Sequence, residues 1–251
     1  ITYLFLGSFK MKILLVGKNG QLGASLIKTL PQYIVDKAFD FMITSREEFD
    51  LSIPAQCEEL VIKYQPDYLI NTAAYTAVDI AETQKELTYQ INSEAPRIFA
   101  KTLRKIGGKL IHFSTDYVFD GNKSSPYKTS DVVNPLNIYG LSKVQGEKNI
   151  LEIMSATEQA KIIRTSWLYS SEGSNFVTKI IKLITSKTTL KIVSDQVSSP
   201  TSTTSLAKFC WMLIQSMEEG KTFANLIHFS DAGIASWYDF AYAVLEIGND
   251  I

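Results

Sequence analysis

Residues 12–23, KILLVGKNGQLG, place a glycine-rich turn between a short apolar run and an amphipathic segment. The pattern G-x-x-G-x-x-G, formed by Gly17, Gly20 and Gly23, directly follows a predicted strand and begins a predicted helix. There the first glycine allows a tight turn, the second lets the backbone approach a pyrophosphate, and the third lets the helix pack on the strand. The stretch therefore predicts a dinucleotide-binding βαβ unit, with a ligand-free glycine turn as the alternative.

Apolar runs continue to alternate with amphipathic stretches along the chain, which is typical of a parallel sheet covered by helices. The predicted strands are residues 12–16, 39–43, 68–71, 109–113, 161–165, 190–193 and 225–230. The predicted helices are residues 21–29, 54–64, 86–106, 139–155, 175–186, 205–217 and 236–247. We expect an α/β fold, a doubly wound parallel sheet of the Rossmann type with a smaller C-terminal substrate lobe.

The regularity of this pattern also predicts how the chain is divided. We expect residues 11–165 to form an NAD(P)-binding Rossmann domain that carries the catalytic residues. Residues 166–251 are expected to be mostly a substrate-binding lobe, with some elements returning to the main sheet. Because the pattern starts at Met11, residues 1–10 are interpreted as an upstream or added extension.

Composition narrows the class of partner. The chain has 251 residues and a formal net charge of −1, so it has no electrostatic footprint for nucleic acid and a small-molecule partner is expected.

Cys57 and Cys210 lie outside any metal-binding spacing and are expected to be reduced core thiols in a cytoplasmic protein. No membrane role is predicted, because residues 1–10 are too short to cross a bilayer. His112 and His228 lie within predicted strands and are expected to be hydrogen-bonded core residues, so no metal-ligand set is predicted.

The end of the second predicted strand indicates which nicotinamide cofactor is bound. An acidic residue at this point binds the ribose 2′-OH of NAD, whereas a basic one accommodates the 2′-phosphate of NADP. Ser45 and Arg46 stand there, and an arginine can pair with a phosphate through two hydrogen bonds. We therefore predict NADPH. NADH stays an alternative, because Arg46 beside Glu47 and Glu48 can equally be a solvated loop charge.

A tyrosine and a lysine four residues apart form the predicted catalytic pair. Tyr139 and Lys143 share one face of a predicted helix, and the lysine ammonium is expected to lower the pKa of the tyrosine, which then donates a proton to a carbonyl oxygen. Tyr33 and Lys37 repeat the spacing, but only Tyr139 follows a fourth strand that ends in Thr115. Thr115 is expected to donate a hydrogen bond to the same carbonyl oxygen. Together these residues predict carbonyl reduction.

Several longer motifs resemble those of the dTDP-4-dehydrorhamnose reductases, members of the extended short-chain dehydrogenase superfamily. The matching motifs are GKNGQLG (17–23), NTAAYTAVD (71–79), STDYVFDG (114–121), PLNIYG (135–140) with Lys143, Gly146 and Glu147, and RTSWLY (164–169). The resemblance implies hydride transfer from a reduced nicotinamide to C4′ of dTDP-4-dehydro-L-rhamnose, a nucleotide sugar, with Thr115, Tyr139 and Lys143 as the catalytic residues.

The motifs and the resemblance together give the candidate site. The cofactor-binding candidates are Gly17, Asn19, Gly20, Gln21, Leu22, Gly23, Ser45, Arg46, Asp50, Leu51, Ala73, Ala74, Tyr75, Tyr139 and Lys143. The substrate-binding candidates are Thr76, Val78, Thr115 and Trp167. The resemblance also implies Mg²⁺ assistance and a homodimer, neither of which follows from the residues themselves.

The chain departs from the family in two places, and other functions stay open. The family run D-Q-x-G-x-P-T appears as DQVSSPT at residues 195–201, with Ser198 in place of glycine. The chain ends at Ile251, where the family continues with a segment that helps close the substrate site, so we expect a truncated C-terminus. One alternative is another nucleotide-sugar reductase, epimerase or dehydratase, although dehydratases place Asp-Glu after the threonine and here Asp116-Tyr117 follows. The other is a non-catalytic NADP-binding regulatory subunit.

Overall fold

A parallel sheet forms the centre of the computed structural model, which describes residues 10–31, 39–186 and 189–249. The strands are β1 (Lys12–Val16), β2 (Asp40–Thr44), β3 (Tyr68–Asn71), β4 (Lys109–Thr115), β5 (Ala160–Thr165), β6 (Leu168–Tyr169), β7 (Val197–Ser198), β8 (Thr201–Ser202), β9 (Leu226–His228) and β10 (Ala235–Ser236). The main sheet has the order β2-β1-β3-β4-β5-β9, and every pair of neighbours in it is parallel. Two small sheets pair β6 with β8 and β7 with β10.

Helices connect these strands. They are α1 (Gln21–Lys28), α2 (Pro54–Tyr64), α3 (Val78–Ala81), α4 (Lys85–Tyr89), α5 (Ala95–Ile106), α6 (Ile138–Met154), α7 (Phe176–Ile184), α8 (Thr203–Glu218) and α9 (Trp237–Asn249), with a π-helical turn at Gln90–Glu94 and a 3₁₀ turn at Asp116–Val118. None of the helices in the described ranges is both long enough and apolar enough to span a bilayer. The predicted extension, apart from Lys10, and the Tyr33–Lys37 pair lie outside the described residues.

Both faces of the main sheet are buried, because its side chains alternate between two apolar clusters. On β1, Leu14 and Val16 pack with α2, α5 and α6, whereas Ile13 and Leu15 pack with α1 and α8. The same alternation continues on the neighbouring strands. Helices on both faces of a parallel sheet define the doubly wound Rossmann fold, so the predicted fold class is confirmed.

The strand order determines where a ligand can bind. The chain moves outward from β1 to β2 and then crosses back to β3 on the other side of β1. Loops that leave the carboxyl ends of β1 and β3 therefore diverge and leave a crevice between them. The carboxyl ends of β2, β4 and β5 meet at the same edge of the sheet, because all these strands are parallel.

Two sequence-based element predictions are wrong. Residues 190–193 do not form a strand, because no neighbouring strand pairs with them; the Val193 carbonyl accepts instead from the Tyr238 N–H at 3.0 Å. The helix predicted as unbroken over residues 86–106 contains the π-helical turn at Gln90–Glu94. There the Asn92 carbonyl approaches α6 so closely that a Cβ on Gly146 would lie 2.2 Å from it.

Burial on α2 predicts a large difference between two neighbouring substitutions. Leu60 is fully buried in the core and Ile62 is 55% exposed on the same helix. Leu60→Ala should lower the free energy of unfolding by about 2 to 5 kcal/mol, because it removes buried contacts and leaves a cavity. The matched control, Ile62→Ala, should change that free energy by no more than about 0.5 kcal/mol. Urea unfolding monitored by circular dichroism measures both, and equal losses would contradict the packing described.

Candidate active site

A cavity of about 700 Å³ opens at the carboxyl edge of the main sheet. Its wall includes the residues that follow β1, β2 and β3, the ends of β4 and β5, and the first turns of α1 and α6. Most of the predicted cofactor residues lie on this wall, namely Gly17, Asn19, Gly20, Gln21, Leu22, Ser45, Arg46, Asp50, Leu51, Ala73, Ala74, Tyr75, Tyr139 and Lys143. The structure thus brings together residues that the sequence separates by more than a hundred positions.

Close backbone contacts form the glycine-rich turn. Gly17 has a φ of 95°, and a Cβ there would lie 2.7 Å from Thr72 Oγ1 and 2.8 Å from the Ala73 nitrogen. Gly23 is not on the cavity wall; a Cβ on it would lie 2.2 Å from the Gly17 carbonyl oxygen. No side chain caps α1 at Gly20, so the N-terminus of the helix is available to an anionic ligand at the wall.

The loop after β2 presents a cation at the wall. The Glu48 carboxylate accepts from the Ser45 N–H at 2.7 Å and lies 4.0 Å from the Lys18 ammonium. Arg46 is exposed and, within the described ranges, forms no ion pair. The Asp50 carboxylate accepts from the Ser52 N–H and hydroxyl, which lowers the pKa of Asp50. The guanidinium of Arg46 is therefore available to a ligand phosphate.

The loop after β3 is bonded to α6 through a side chain that sequence reasoning missed. In the π-helical turn, Asn92 Oδ1 accepts from the Tyr75 N–H at 2.8 Å, and Asn92 Nδ2 donates to the Tyr75 carbonyl at 3.0 Å. Asn92 Nδ2 also lies 3.0 Å from Ser142 Oγ on α6. The NTAAY motif could have suggested a rigid loop, but nothing local in the sequence marks its partner.

Tyr139 lies in the first turn of α6. Asn137 caps this helix by accepting from the Gly140 N–H at 2.7 Å. Burial raises the pKa of Tyr139 to about 12, although a hydrogen bond with Thr115 acts in the opposite direction. The pKa is thus raised rather than lowered as the sequence predicts, because burial is the largest effect on the phenol. The tyrosine is a protonated phenol at neutral pH.

Lys143 lies one helical turn further on and is held by β4. Its Nζ donates to the Phe113 carbonyl at 2.7 Å and lies 3.2 Å from Nε2 of His112. Burial lowers the pKa of Lys143 to about 8. His112 is a fully buried, hydrogen-bonded core residue, as the sequence predicts, and it also contacts the lysine.

The remaining predicted residues occupy different places. Thr76 lies on the cavity wall, whereas Val78, Thr115 and Trp167 do not. Thr115 Oγ1 donates to Asp116 Oδ1 at 3.1 Å and accepts from the Tyr117 N–H at 3.2 Å. Trp167 stacks on Trp237 with ring centroids 3.5 Å apart. The substrate contacts assigned to these three residues stay predictions.

Ser198, which departs from the family pattern, makes a contact that a glycine could not. Its hydroxyl donates to Oδ2 of Asp116, the residue next to Thr115, at a distance of 3.2 Å. Burial raises the pKa of Asp116. Serine in place of glycine therefore links β7 to the turn that follows β4, next to Thr115.

Thr165 is a wall residue that the sequence analysis did not single out. Among the described side chains, its hydroxyl is a buried polar group without a hydrogen-bond partner. It ends β5 and lines the cavity. An unpaired buried hydroxyl is costly, so its position on the wall points to a partner supplied by a ligand. The RTSWLY motif contains it, but only the tertiary structure shows that its partner is missing.

Comparisons with known proteins agree with this geometry. The family described as the RmlD substrate binding domain matches residues 11–249. The spore coat polysaccharide biosynthesis protein SpsK of Bacillus subtilis is 37% identical over 235 residues, which cover 94% of this chain and 78% of that protein. The dTDP-4-dehydrorhamnose reductase of Escherichia coli K12 is 37% identical over 236 residues, with the same coverage.

A solved structure is also similar to this chain in its fold and sequence. The crystal structure of dTDP-4-dehydrorhamnose reductase from Bacillus anthracis in complex with NADP has a TM-score of 0.86 and 33% identity, covering 96% of this chain and 82% of that one. Identity and coverage of this extent show the family. The chain belongs to the dTDP-4-dehydrorhamnose reductase family.

Proposed function

We propose that this protein catalyses the NADPH-dependent reduction of the C4′ keto group of dTDP-4-dehydro-L-rhamnose to dTDP-L-rhamnose. One observation carries the proposal: Tyr139 and Lys143 share a single cavity with the glycine-rich turn after β1. A proton donor thus lies in the same space as a dinucleotide-binding turn. The names of the relatives support this reaction over an epimerase, a dehydratase or a regulatory subunit.

The residues of the wall fit an NADP-type cofactor. Gly17 and Gly20 place no side chain of their own at the wall, and the N-terminus of α1 favours the pyrophosphate. Arg46 and Ser45 would bind the 2′-phosphate, with NADH as the alternative cofactor. Asp50 and Leu51 would lie near the adenine, and residues 73–75 along the cofactor. NADPH bound there supplies the hydride.

Each catalytic residue has one task in this reaction. The Tyr139 hydroxyl donates its proton to the C4′ oxygen, and burial keeps that proton on the phenol until the oxygen becomes basic. Lys143 binds the hydroxyl groups of the nicotinamide ribose. Thr115 would donate a hydrogen bond to the same oxygen. Thr76, Val78 and Trp167 are the proposed sugar contacts.

Two further expectations from the resemblance do not enter this mechanism. Within the described part of the chain, no three His, Cys, Asp or Glu side chains lie close enough together to hold a metal ion. Because Mg²⁺ is commonly held by only one or two carboxylates together with ligand phosphates, it stays a prediction of the resemblance, and no step of the mechanism involves it. The homodimer stays a prediction.

Removing the Tyr139 hydroxyl should abolish most of the activity. Tyr139→Phe should lower kcat by about 100-fold or more, because the proton donor is lost, while the dissociation constant for NADPH stays within about twofold. NADPH oxidation followed by absorbance, with dTDP-4-dehydro-L-rhamnose as substrate, measures the rate. Tyr117→Phe is the matched control, since Tyr117 packs edge-on against Tyr139 and should retain activity. A Tyr139→Phe enzyme with unchanged kcat would exclude this tyrosine as the acid.

Arg46 should determine the choice of cofactor. Arg46→Ala should raise the KM for NADPH about tenfold and leave that for NADH nearly unchanged, because a charge-assisted bond to the 2′-phosphate contributes about 1.5 to 3 kcal/mol. Lys18→Ala is the control: it removes the same charge from a residue that pairs with Glu48 and does not line the cavity. Equal losses with both cofactors would show that Arg46 does not recognise the phosphate.

The unpaired hydroxyl of Thr165 predicts opposite effects on stability and binding. Thr165→Val should not lower the free energy of unfolding, since it removes a buried group without a partner. It should raise the dissociation constant for NADPH or for the nucleotide sugar about threefold or more. Thr88→Val is the matched control; its buried hydroxyl donates to the Gln84 carbonyl, so stability should fall and binding persist. Unchanged binding of both ligands to Thr165→Val would refute the contact.

A further inference from the structure

A chain of hydrogen bonds runs behind Lys143 and joins β3, β4 and α6. The Ala73 backbone N–H donates to Asn71 Oδ1 at 3.1 Å. Asn71 Nδ2 lies 3.1 Å from His112 Nδ1, and His112 Nε2 lies 3.2 Å from Lys143 Nζ. Asn71 and His112 are buried and neither lies on the cavity wall, so their roles are not explained by direct ligand contact.

The first bond fixes the direction of the second. Because Asn71 Oδ1 accepts the Ala73 N–H, the amide nitrogen of Asn71 faces His112 and donates to Nδ1. A neutral imidazole that accepts at Nδ1 carries its hydrogen at Nε2. Complete burial holds the pKa of His112 well below its usual range, so the ring is neutral. The Nε2 hydrogen therefore points at the Lys143 amine.

Only one protonation state of the lysine can accept this hydrogen. An ammonium group has three donors and no lone pair, whereas a neutral amine has a lone pair free to accept. A neutral Lys143 can donate a hydrogen bond to the Phe113 carbonyl and at the same time accept one from His112. We propose that His112, oriented by Asn71, is a positioning residue that favours the neutral amine form of Lys143.

Besides burial, the charge that shifts the pKa of the amine within the described residues is on its own helix. Tyr139 lies one turn before Lys143 and Glu147 one turn after it. The Glu147 carboxylate acts to raise the pKa of Lys143, but less than burial lowers it. Both oxygens of that carboxylate are bound by Arg164, at 2.9 and 2.6 Å. Glu147 therefore forms its direct bonds with another cation, and His112 is the ring in contact with the amine.

The inference rests on the proposed function for its consequence in catalysis. Ribose hydroxyl oxygens can accept from an ammonium, so cofactor binding raises the pKa of Lys143 above its value of about 8. At a pH near or above 8, binding then draws a proton onto the lysine, and affinity for NADPH is lost as the pH rises from about 8 through the raised pKa.

Asn71→Asp reverses the chain of hydrogen bonds with little change of shape. The carboxylate still accepts the Ala73 N–H, but it also accepts from His112, which moves the ring hydrogen to Nδ1 and turns Nε2 into an acceptor for an ammonium. We expect the pKa of Lys143 to rise by about one unit or more, and its amine to react about tenfold more slowly below that pKa. Acetylation by acetic anhydride as a function of pH, with mass spectrometry of the peptide containing Lys143, measures this without cofactor or substrate.

A double-mutant cycle separates this effect from the added charge. Asn71→Asp is repeated in a His112→Phe background, where the ring can no longer transmit a hydrogen bond. The shift should fall to a small fraction of its value in the wild-type background. An equal shift in both backgrounds, or no shift in either, would overturn the proposal.

The wild-type protein provides a test that needs no variant to fold. The chain has two histidines, so their ¹⁵N resonances can be assigned by comparison with His112→Phe or by contacts to neighbouring protons. The proposal requires the His112 hydrogen at Nε2, and a hydrogen at Nδ1 would refute it. Calorimetric titration with NADPH at a pH above 8, where the free lysine is mostly neutral, is then carried out in two buffers of different ionisation enthalpy. Proton uptake on binding supports the consequence for catalysis, whereas no uptake together with the expected labelling result would contradict the proposed role of Lys143.

Discussion

The contact between the Gly17 carbonyl and Gly23 is the constraint on which the rest of this site depends. At that point α1 approaches β1 so closely that a single methyl group would lie 2.2 Å from the carbonyl oxygen. Helix α1 can therefore pack Leu22 and Leu26 against one face of the sheet while its N-terminus stays at the cavity wall. The same turn therefore serves the fold and the candidate cofactor site: it lets α1 pack on β1, and it leaves the backbone at Gly17 and Gly20 open to a ligand in the cavity.

A second set of contacts holds α6, the helix that carries Tyr139 and Lys143. The Asn92 amide bonds both the loop after β3 and Ser142 on α6. Further along α6, Glu147 forms a buried ion pair with Arg164 of β5. Breaking such a pair leaves an uncompensated buried charge, so these contacts fix the position of the helix against the sheet. Contacts from the loop after β3 and from β5 thus position the helix that carries Tyr139 and Lys143.

Burial then determines the chemistry of the pair. It disfavours the charged form of both groups, and so raises the pKa of Tyr139 and lowers that of Lys143. Tyr139 keeps its proton at neutral pH, which suits a group that donates during reduction. The sequence predicts a lowered pKa for Tyr139, but burial outweighs that expectation and raises it. The Lys143 amine bonds the Phe113 carbonyl and lies beside His112.

The sequence by itself determined the fold class and most of the cofactor wall. Apolar periodicity and glycine spacing are local properties, and the doubly wound sheet with its turn at Gly17 follows from them. The unpaired Thr165 hydroxyl, the π-helical turn around Asn92 and the link from Asn71 through His112 to Lys143 were decided only by the tertiary structure. The same holds for residues 190–193. Their sequence favours a strand, but no neighbouring strand pairs with them. Hydrogen-bond partners and burial depend on segments far apart in the chain, and no local pattern records which of them meet.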